Sequence, residues 1–361
     1  MANEPKTPNT ALNLFIGRTF LASVPVILFF ALSFFYIIFI KPKSAGDLNG
    51  MIEMAGDTVY DVNIHKPRLE EFMVRQYSPG APASEVITIG DSFSNYKIGP
   101  NLYINYLAHE LGDTVVNIGM DFANGGNPFQ ALSYLDNTGF FESHPEVKTV
   151  IAESAERYFD ERWLNADLDA DDINPRILYS TDNKKVSLWD TEWRIRLGKI
   201  MSDPANWIKF RLNLGKSSAL TLKLDREMFS TKENGDRLIY YFQDTYPRHI
   251  TRQKIEEIKL KISDLHDRLA AKGVNLIVLI AADKYEVYSP FAARGGIVKE
   301  APLSRYLSEF DSIPYIVNPL SELRRHIDAG EKDIYIADDT HWSYKGHSIV
   351  ARMLAKKIRN Q

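Results

Sequence analysis

Two short segments at opposite ends of this chain carry residues that could do chemistry together. One is Gly90-Asp91-Ser92-Phe93-Ser94, in which Ser92 follows the apolar run Val86–Ile89 and a glycine. The other is Asp338-Asp339-Thr340-His341-Trp342, where Asp339 stands two residues before His341. A serine hydroxyl is a weak nucleophile at neutral pH unless a base takes its proton, and an imidazole base needs a third group to fix its tautomer. Ser92, His341 and Asp339 supply those three parts, which points to serine-dependent acyl transfer. Asp338 is a competing carboxylate, but in an extended segment its side chain should point away from that of Asp339.

Further residues are candidates for supporting roles. Asn117-Ile118-Gly119 and Asn124-Gly125-Gly126-Asn127 follow an apolar run. Gly119, Gly125, Gly126 and Asn127 could complete an oxyanion hole with the Ser92 backbone N–H, though ordinary loop chemistry explains Asn-Gly equally well. Arg157, just past another apolar run, could hold an anionic sugar or order the loops through a carboxylate pair. Trp342 is a second substrate-binding candidate, and His347 reads as a surface residue of the last helix. Two decoys fall away. Gly215-Lys216-Ser217 lacks the first glycine of a phosphate loop, and Asp167, Asp169 and Asp171 lack the glycine and glutamate of a calcium loop. No metal and no cofactor are expected.

The elements that must position these residues read as an α/β series. Val86–Ile89, Thr114–Ile118, Val147–Ala152, Val274–Ala281 and Pro314–Val317 are strand candidates. Continuous apolar runs alternating with helices imply a parallel sheet. Helices are expected over Ile98–Leu111, Pro128–Leu135 and Thr251–Lys272, the last with Ile255, Ile258, Ile262, Leu265 and Leu269 at helical spacing. A final helix starts near Ser343. Residues 160–248 break the rhythm with Trp163, Trp189, Trp193 and Trp207, and read as an inserted subdomain or lid. Those tryptophans could stack on sugars or fill the insertion's own core.

Composition narrows the class. The 361 residues hold 43 Lys+Arg against 47 Asp+Glu, so no strong field favours nucleic acid. With no cysteine, disulfides and thiolate sites are excluded. Thr19 to Ile40 is a run of 22 uncharged residues between Arg18 and Lys41, longer than a signal-peptide core and long enough to span a bilayer. The expected organisation is a tail over 1–18, a membrane helix over 19–40, a linker over 41–80 and a catalytic domain over 81–361. Lys6 and Arg18 before the span nearly balance Lys41 and Lys43 after it, so charge leaves orientation open.

Gly90-Asp91-Ser92 with a C-terminal Asp-x-His resembles the SGNH (GDSL-like) hydrolase superfamily. More specifically, four pieces are similar to its alginate O-acetyltransferase branch: 90–94, Glu-Ser-Ala-Glu-Arg-Tyr-Phe at 153–159, Ala-Asp-Lys-Tyr-Glu-Val-Tyr at 282–288, and Asp-Thr-His-Trp-Ser-Tyr-Lys-Gly-His at 339–347. The resemblance implies a doubly wound α/β/α sandwich, a triad on Ser92, His341 and Asp339, and O-acetylation of an exported polysaccharide. It also implies a multi-spanning membrane-bound O-acyltransferase as acetyl donor, and a domain held in the periplasm by a single-pass inner-membrane anchor. The chain departs from that branch in order, since the Asp-x-His-Trp block follows the serine block, as if circularly permuted. Ala152 also stands where a tryptophan is expected. An acetyl esterase, or a silent scaffold of an export complex, are the alternative readings.

Overall fold

The computed structural model describes residues 8–35, 47–48, 74–94, 102–120, 126–173, 178, 219–231 and 234–361. The chain divides into two compact units. One contains the N-terminal helix; the other comprises Ser44–Ile52, Asp57–Lys184 and Ser217–Gln361.

The N-terminal helix runs from Pro8 to Phe35, with Pro25 inside it. Its apolar stretch is Leu12–Ser33, with most of its large apolar side chains exposed. It begins earlier than the expected Thr19 because Leu12, Leu14, Phe15 and Ile16 extend the apolar sequence upstream, so Arg18 lies within the helix instead of before it. Such a helix is compatible with a single-pass membrane anchor; residues 36–40 lie outside those described.

The larger unit is α/β. Its main sheet contains β1 (Val74–Gln76), β2 (Val86–Ile89), β3 (Val115–Ile118), β4 (Thr149–Ala155), β7 (Asn275–Ala281) and β8 (Ile316–Val317). The spatial order is β1-β3-β2-β4-β7-β8 and every pairing is parallel. The strands β2, β3 and β4 are buried at every position, as continuous apolar runs require when helices cover both faces. Helix Tyr103–Leu111 packs against Tyr344–Arg359, while Glu156–Asn165 packs against Arg252–Ala271. The long helix Arg252–Ala271 starts at Thr251, whose hydroxyl accepts from the Lys254 N–H, and buries the five apolar residues expected of it. Ser343 caps the last helix by accepting from the Lys345 N–H.

Central β2 has β3 on one side and β4 on the other, so the chain leaves β2 for β3 and then crosses back over it to β4. The crevice beyond the carboxyl end of such a strand is where doubly wound sheets hold ligands. Ser92 lies three residues past the end of β2.

Several segments differ from the sequence-based expectation. β1, an edge strand of the sheet, comes from the region read as a linker. Within 160–248, residues up to Asn165 complete a core helix in which Trp163 is fully buried and stacks on Phe129 at 3.9 Å. The antiparallel hairpin of β5 (Ala219–Lys223) and β6 (Arg237–Tyr241) adds Leu222, Leu224, Phe229 and Leu238 to the main core. These stretches are therefore integral to the domain. Trp189, Trp193 and Trp207 lie outside the described residues, as does the 215–217 segment.

Candidate active site

β2 delivers the backbone to Gly90, and buried side chains fix the turn beyond it. The Asp91 N–H donates to Glu153 Oε2 at 2.9 Å, and the Ser94 hydroxyl donates to the same oxygen at 2.8 Å. A Cβ on Gly90 would lie 2.5 Å from that oxygen, so glycine is required by close approach. Asp91 Oδ2 accepts from Arg162 at 2.6 Å and from the Ala155 N–H at 2.8 Å, and Oδ1 accepts from the Phe93 N–H at 3.2 Å. Burial opposes the charge on Asp91, yet Arg162 and these donors hold it at about 2. Burial, with the charge of Asp91, pushes Glu153 well above the usual carboxylate range. Of the two carboxyls, Asp91 carries the charge and Glu153 the proton.

The histidine comes from a loop. Residues 335–342 fold back through a bridge between Tyr335 and Trp342, with the Ile336 N–H donating to His341 O at 3.2 Å. Lys284 secures this loop. Its fully buried ammonium donates to the carbonyls of Ile336 (2.8 Å), Ala337 (2.8 Å) and Asp339 (3.2 Å), and lies 5.0 Å from the ring centre of Phe229. Burial draws its pKa down to about 8 although several carboxylates oppose that shift.

The two ends meet. His341 Nε2 is 2.6 Å from Ser92 Oγ, and Nδ1 is 2.5 Å from Asp339 Oδ1, which also accepts from the His341 N–H at 2.9 Å. With Nδ1–H donated to the carboxylate, Nε2 is left to accept the serine proton. Burial would lower the histidine, but the hydrogen bond and charge of Asp339 raise it above 6.5. Burial would raise Asp339, but the same contact holds it at about 2. The ring of Phe93 lies 4.8 Å from His341 and 4.4 Å from Trp342.

Other candidates fall in different places. Trp342 does not face a substrate: it is 1% exposed, and its indole N–H donates to Tyr335 Oη at 2.8 Å, so it supports the site from within the core. His347 is not at the surface. It is buried, accepts from the Tyr103 N–H at 3.0 Å, and is kept neutral by burial, down at about 3. Arg157 is buried in an ion pair with Asp283, with Asp244 at 3.6 Å, which favours the loop-ordering alternative. The Asn127 side chain is committed to capping helix Pro128–Asn137 and to the Arg162 carbonyl at 2.7 Å. Gly119 abuts Gln76, whose amide nitrogen fills the space a Cβ would occupy. Gly126 lines an open cavity of about 590 Å³ with Asn127, Tyr158 and Arg162. Gly125 lies outside the described residues, as do residues 95–101, where a helix start after Ser92 was expected; the helix is described from Tyr103.

Asp47, Asp339 and His341 place ligand atoms within 4.8 Å of one another. A cation there would compete with the Asp339–His341 hydrogen bond, so the set fits an oriented base better than a metal centre.

Residues 236–361 match the family model described as "SGNH hydrolase-like domain, acetyltransferase AlgX". The chain is similar to the SGNH-type alginate acetyltransferases. A relative in Pseudomonas fluorescens, described as a probable alginate O-acetylase AlgJ, is 24% identical over 152 residues. That match covers 38% of this chain and spans 37% of the relative's length. The part matching the AlgX domain contains Asp339 and His341 and stops short of Ser92, which the permuted order of blocks would produce.

Proposed function

We propose that this chain is a membrane-anchored O-acetyltransferase acting on an exported or cell-surface polysaccharide. The observation that carries the reading is the 2.6 Å contact between Ser92 Oγ and His341 Nε2, backed by Asp339 at 2.5 Å. His341 Nε2 accepts the Ser92 proton as Oγ attacks the acetyl carbonyl. The imidazolium, stabilised by Asp339, then protonates the departing donor group and leaves acetyl-Ser92. In the second half a sugar hydroxyl gives its proton to Nε2 and attacks the acyl carbon, and Ser92 Oγ takes that proton back. The similarity to alginate acetylases supports an acetyl group and a polysaccharide acceptor. A multi-spanning O-acyltransferase is the proposed donor partner, and the N-terminal helix would hold the domain at the periplasmic face of the inner membrane.

The test uses detergent-solubilised full-length protein with p-nitrophenyl acetate. Ser92→Ala and His341→Ala should each lower turnover by roughly 10³-fold or more, with melting temperature retained. Oligosaccharides should gain acetyl groups by mass spectrometry while acetate release stays slow in their absence. Rapid acetate release that no glycan alters would instead assign an esterase, and a Ser92→Ala variant with wild-type turnover would remove the triad.

A further inference from the structure

Asp47 belongs to the segment between the N-terminal helix and the sheet, yet it sits against the loop that carries the base. Its backbone N–H donates to Asp339 Oδ2 at 3.1 Å, the oxygen of that carboxylate not bonded to His341. Its carboxylate accepts from the Thr340 N–H at 2.8 Å and from the Thr340 hydroxyl at 2.5 Å. Asp47 Oδ2 is 3.8 Å from His341 Nδ1. The next residue repeats the attachment: the Leu48 N–H donates to Asp338 O at 2.9 Å, and its buried side chain packs on Ala219 and Ile239 of the hairpin. Residues 47–48 thus join the β5–β6 hairpin to the Asp-x-His turn.

We propose that Asp47 is a positioning residue of the active site, which holds Asp339 and Thr340 in place and adds a second negative charge beside His341. Among the described residues, Asp47 is what holds the second oxygen of Asp339 and the Thr340 N–H and hydroxyl. Asp339 is the stronger partner, since it bonds Nδ1 directly. Asp47 acts through hydrogen bonds to its neighbours and through its charge. Among the described residues, the other charged or titratable groups facing this centre are Arg157, whose cation disfavours the imidazolium, His347, which is neutral, Lys284, which interacts with both carboxylates, and Tyr241, on which the charge of Asp47 acts. Burial and the proximity of Asp339 raise Asp47 itself, so its charge is lost earlier on acidification than that of Asp339.

The inference rests on the acyl-serine reading, and its test separates the two. Rates of p-nitrophenyl acetate turnover are measured against pH for full-length wild type, Asp47→Ala, Asp47→Asn and Ser92→Ala. Asp47→Ala should lower kcat by roughly ten- to a hundredfold through displacement of the base, with little change in KM. Losing the charge should also move the acid limb of kcat/KM to lower pH by about half a unit to one unit. Asp47→Asn keeps an acceptor for the Thr340 N–H, so it should recover part of kcat while retaining the shifted limb. A rate loss with an unmoved limb in both variants would reduce Asp47 to a structural contact and overturn the proposal. Wild-type rates and limb in both, with Ser92→Ala inactive, would overturn it and leave the acyl-serine mechanism standing. An active Ser92→Ala would remove both.

Discussion

The serine end and the histidine end of the site are held by opposite means. Ser92 follows a central strand whose register is set by two parallel neighbours, and buried carboxyls receive the backbone donors that the strand's end releases: Glu153 for Asp91, Asp91 for Phe93. His341 lies on a loop without regular structure, where a buried cation, Lys284, receives the carbonyls that have no strand to pair with. A strand end needs acceptors and this loop needs donors, so buried carboxyls serve one side and a buried ammonium the other. The region matching the AlgX domain contains the cation-held half only. Each half is stabilised by its own set of buried side chains.

The largest effect should come from the group that orients the histidine. Asp339→Asn leaves a neutral partner at Nδ1 and favours the wrong histidine tautomer, so kcat should fall roughly 10³- to 10⁴-fold. The sign of the pH effect is fixed by His341, whose pKa is raised in the wild type: activity is lost as pH falls through that raised value, because Nε2 must be unprotonated to accept from Ser92. In Asp339→Asn the limb should move to lower pH, read from residual kcat/KM.

Lys284→Met should break the histidine half selectively. Three carbonyls lose their donor, a cost on the order of 3 kcal/mol in denaturant unfolding. Hydrogen exchange should rise across 335–342 and stay at wild-type levels across 86–94. Equal loosening of both segments would refute the separation of the halves.

The smallest effect is expected at Glu153→Gln, since a protonated glutamate and a glutamine offer similar groups. Stability near pH 5 should change by within about 1 kcal/mol. Glu153 has a raised folded pKa, so its contribution is full below the unfolded value and is lost as pH rises through the folded one. Glutamine has no such loss. The melting temperature of the variant relative to wild type should therefore climb between pH 5 and pH 8, and a constant difference would place the proton elsewhere.

Much of this architecture was legible in the sequence because burial on both faces leaves a plain signature. Val86–Ile89 and Val274–Ala281 show unbroken apolar runs, and Thr251 and Ser343 mark helix starts by their hydroxyls. The helix Glu156–Asn165 was not anticipated because Phe159 and Trp163, one turn apart, sit among five charged residues, three of them buried against distant partners. β1 was missed since a three-residue strand containing Arg75 and Gln76 has no period to read. In the site, residue type and spacing singled out Ser92, Asp339 and His341, which the structure brings together. The roles of Lys284, Glu153 and Arg162 are set by partners far along the chain. His347 did carry a signal: with Val350, Ala351 and Leu354 it lies on the buried stripe of the last helix, but its polarity masked the spacing. Asp47 gave none, since a lone aspartate after an apolar helix has nothing local to mark it.

Lys284 also bears on chemical self-protection. An amine whose pKa is drawn down to about 8 is partly unprotonated under mildly alkaline conditions, and a free amine outcompetes a hydroxyl for an activated acetyl group. If the chain turns over acetyl esters as proposed, such a lysine beside the histidine loop would be a ready target for irreversible N-acetylation. Enclosure within the core, against three carbonyls, denies it the approach that amide formation requires. Under the proposed activity, the enclosure that anchors the histidine loop would thereby also shield the lysine that does the anchoring.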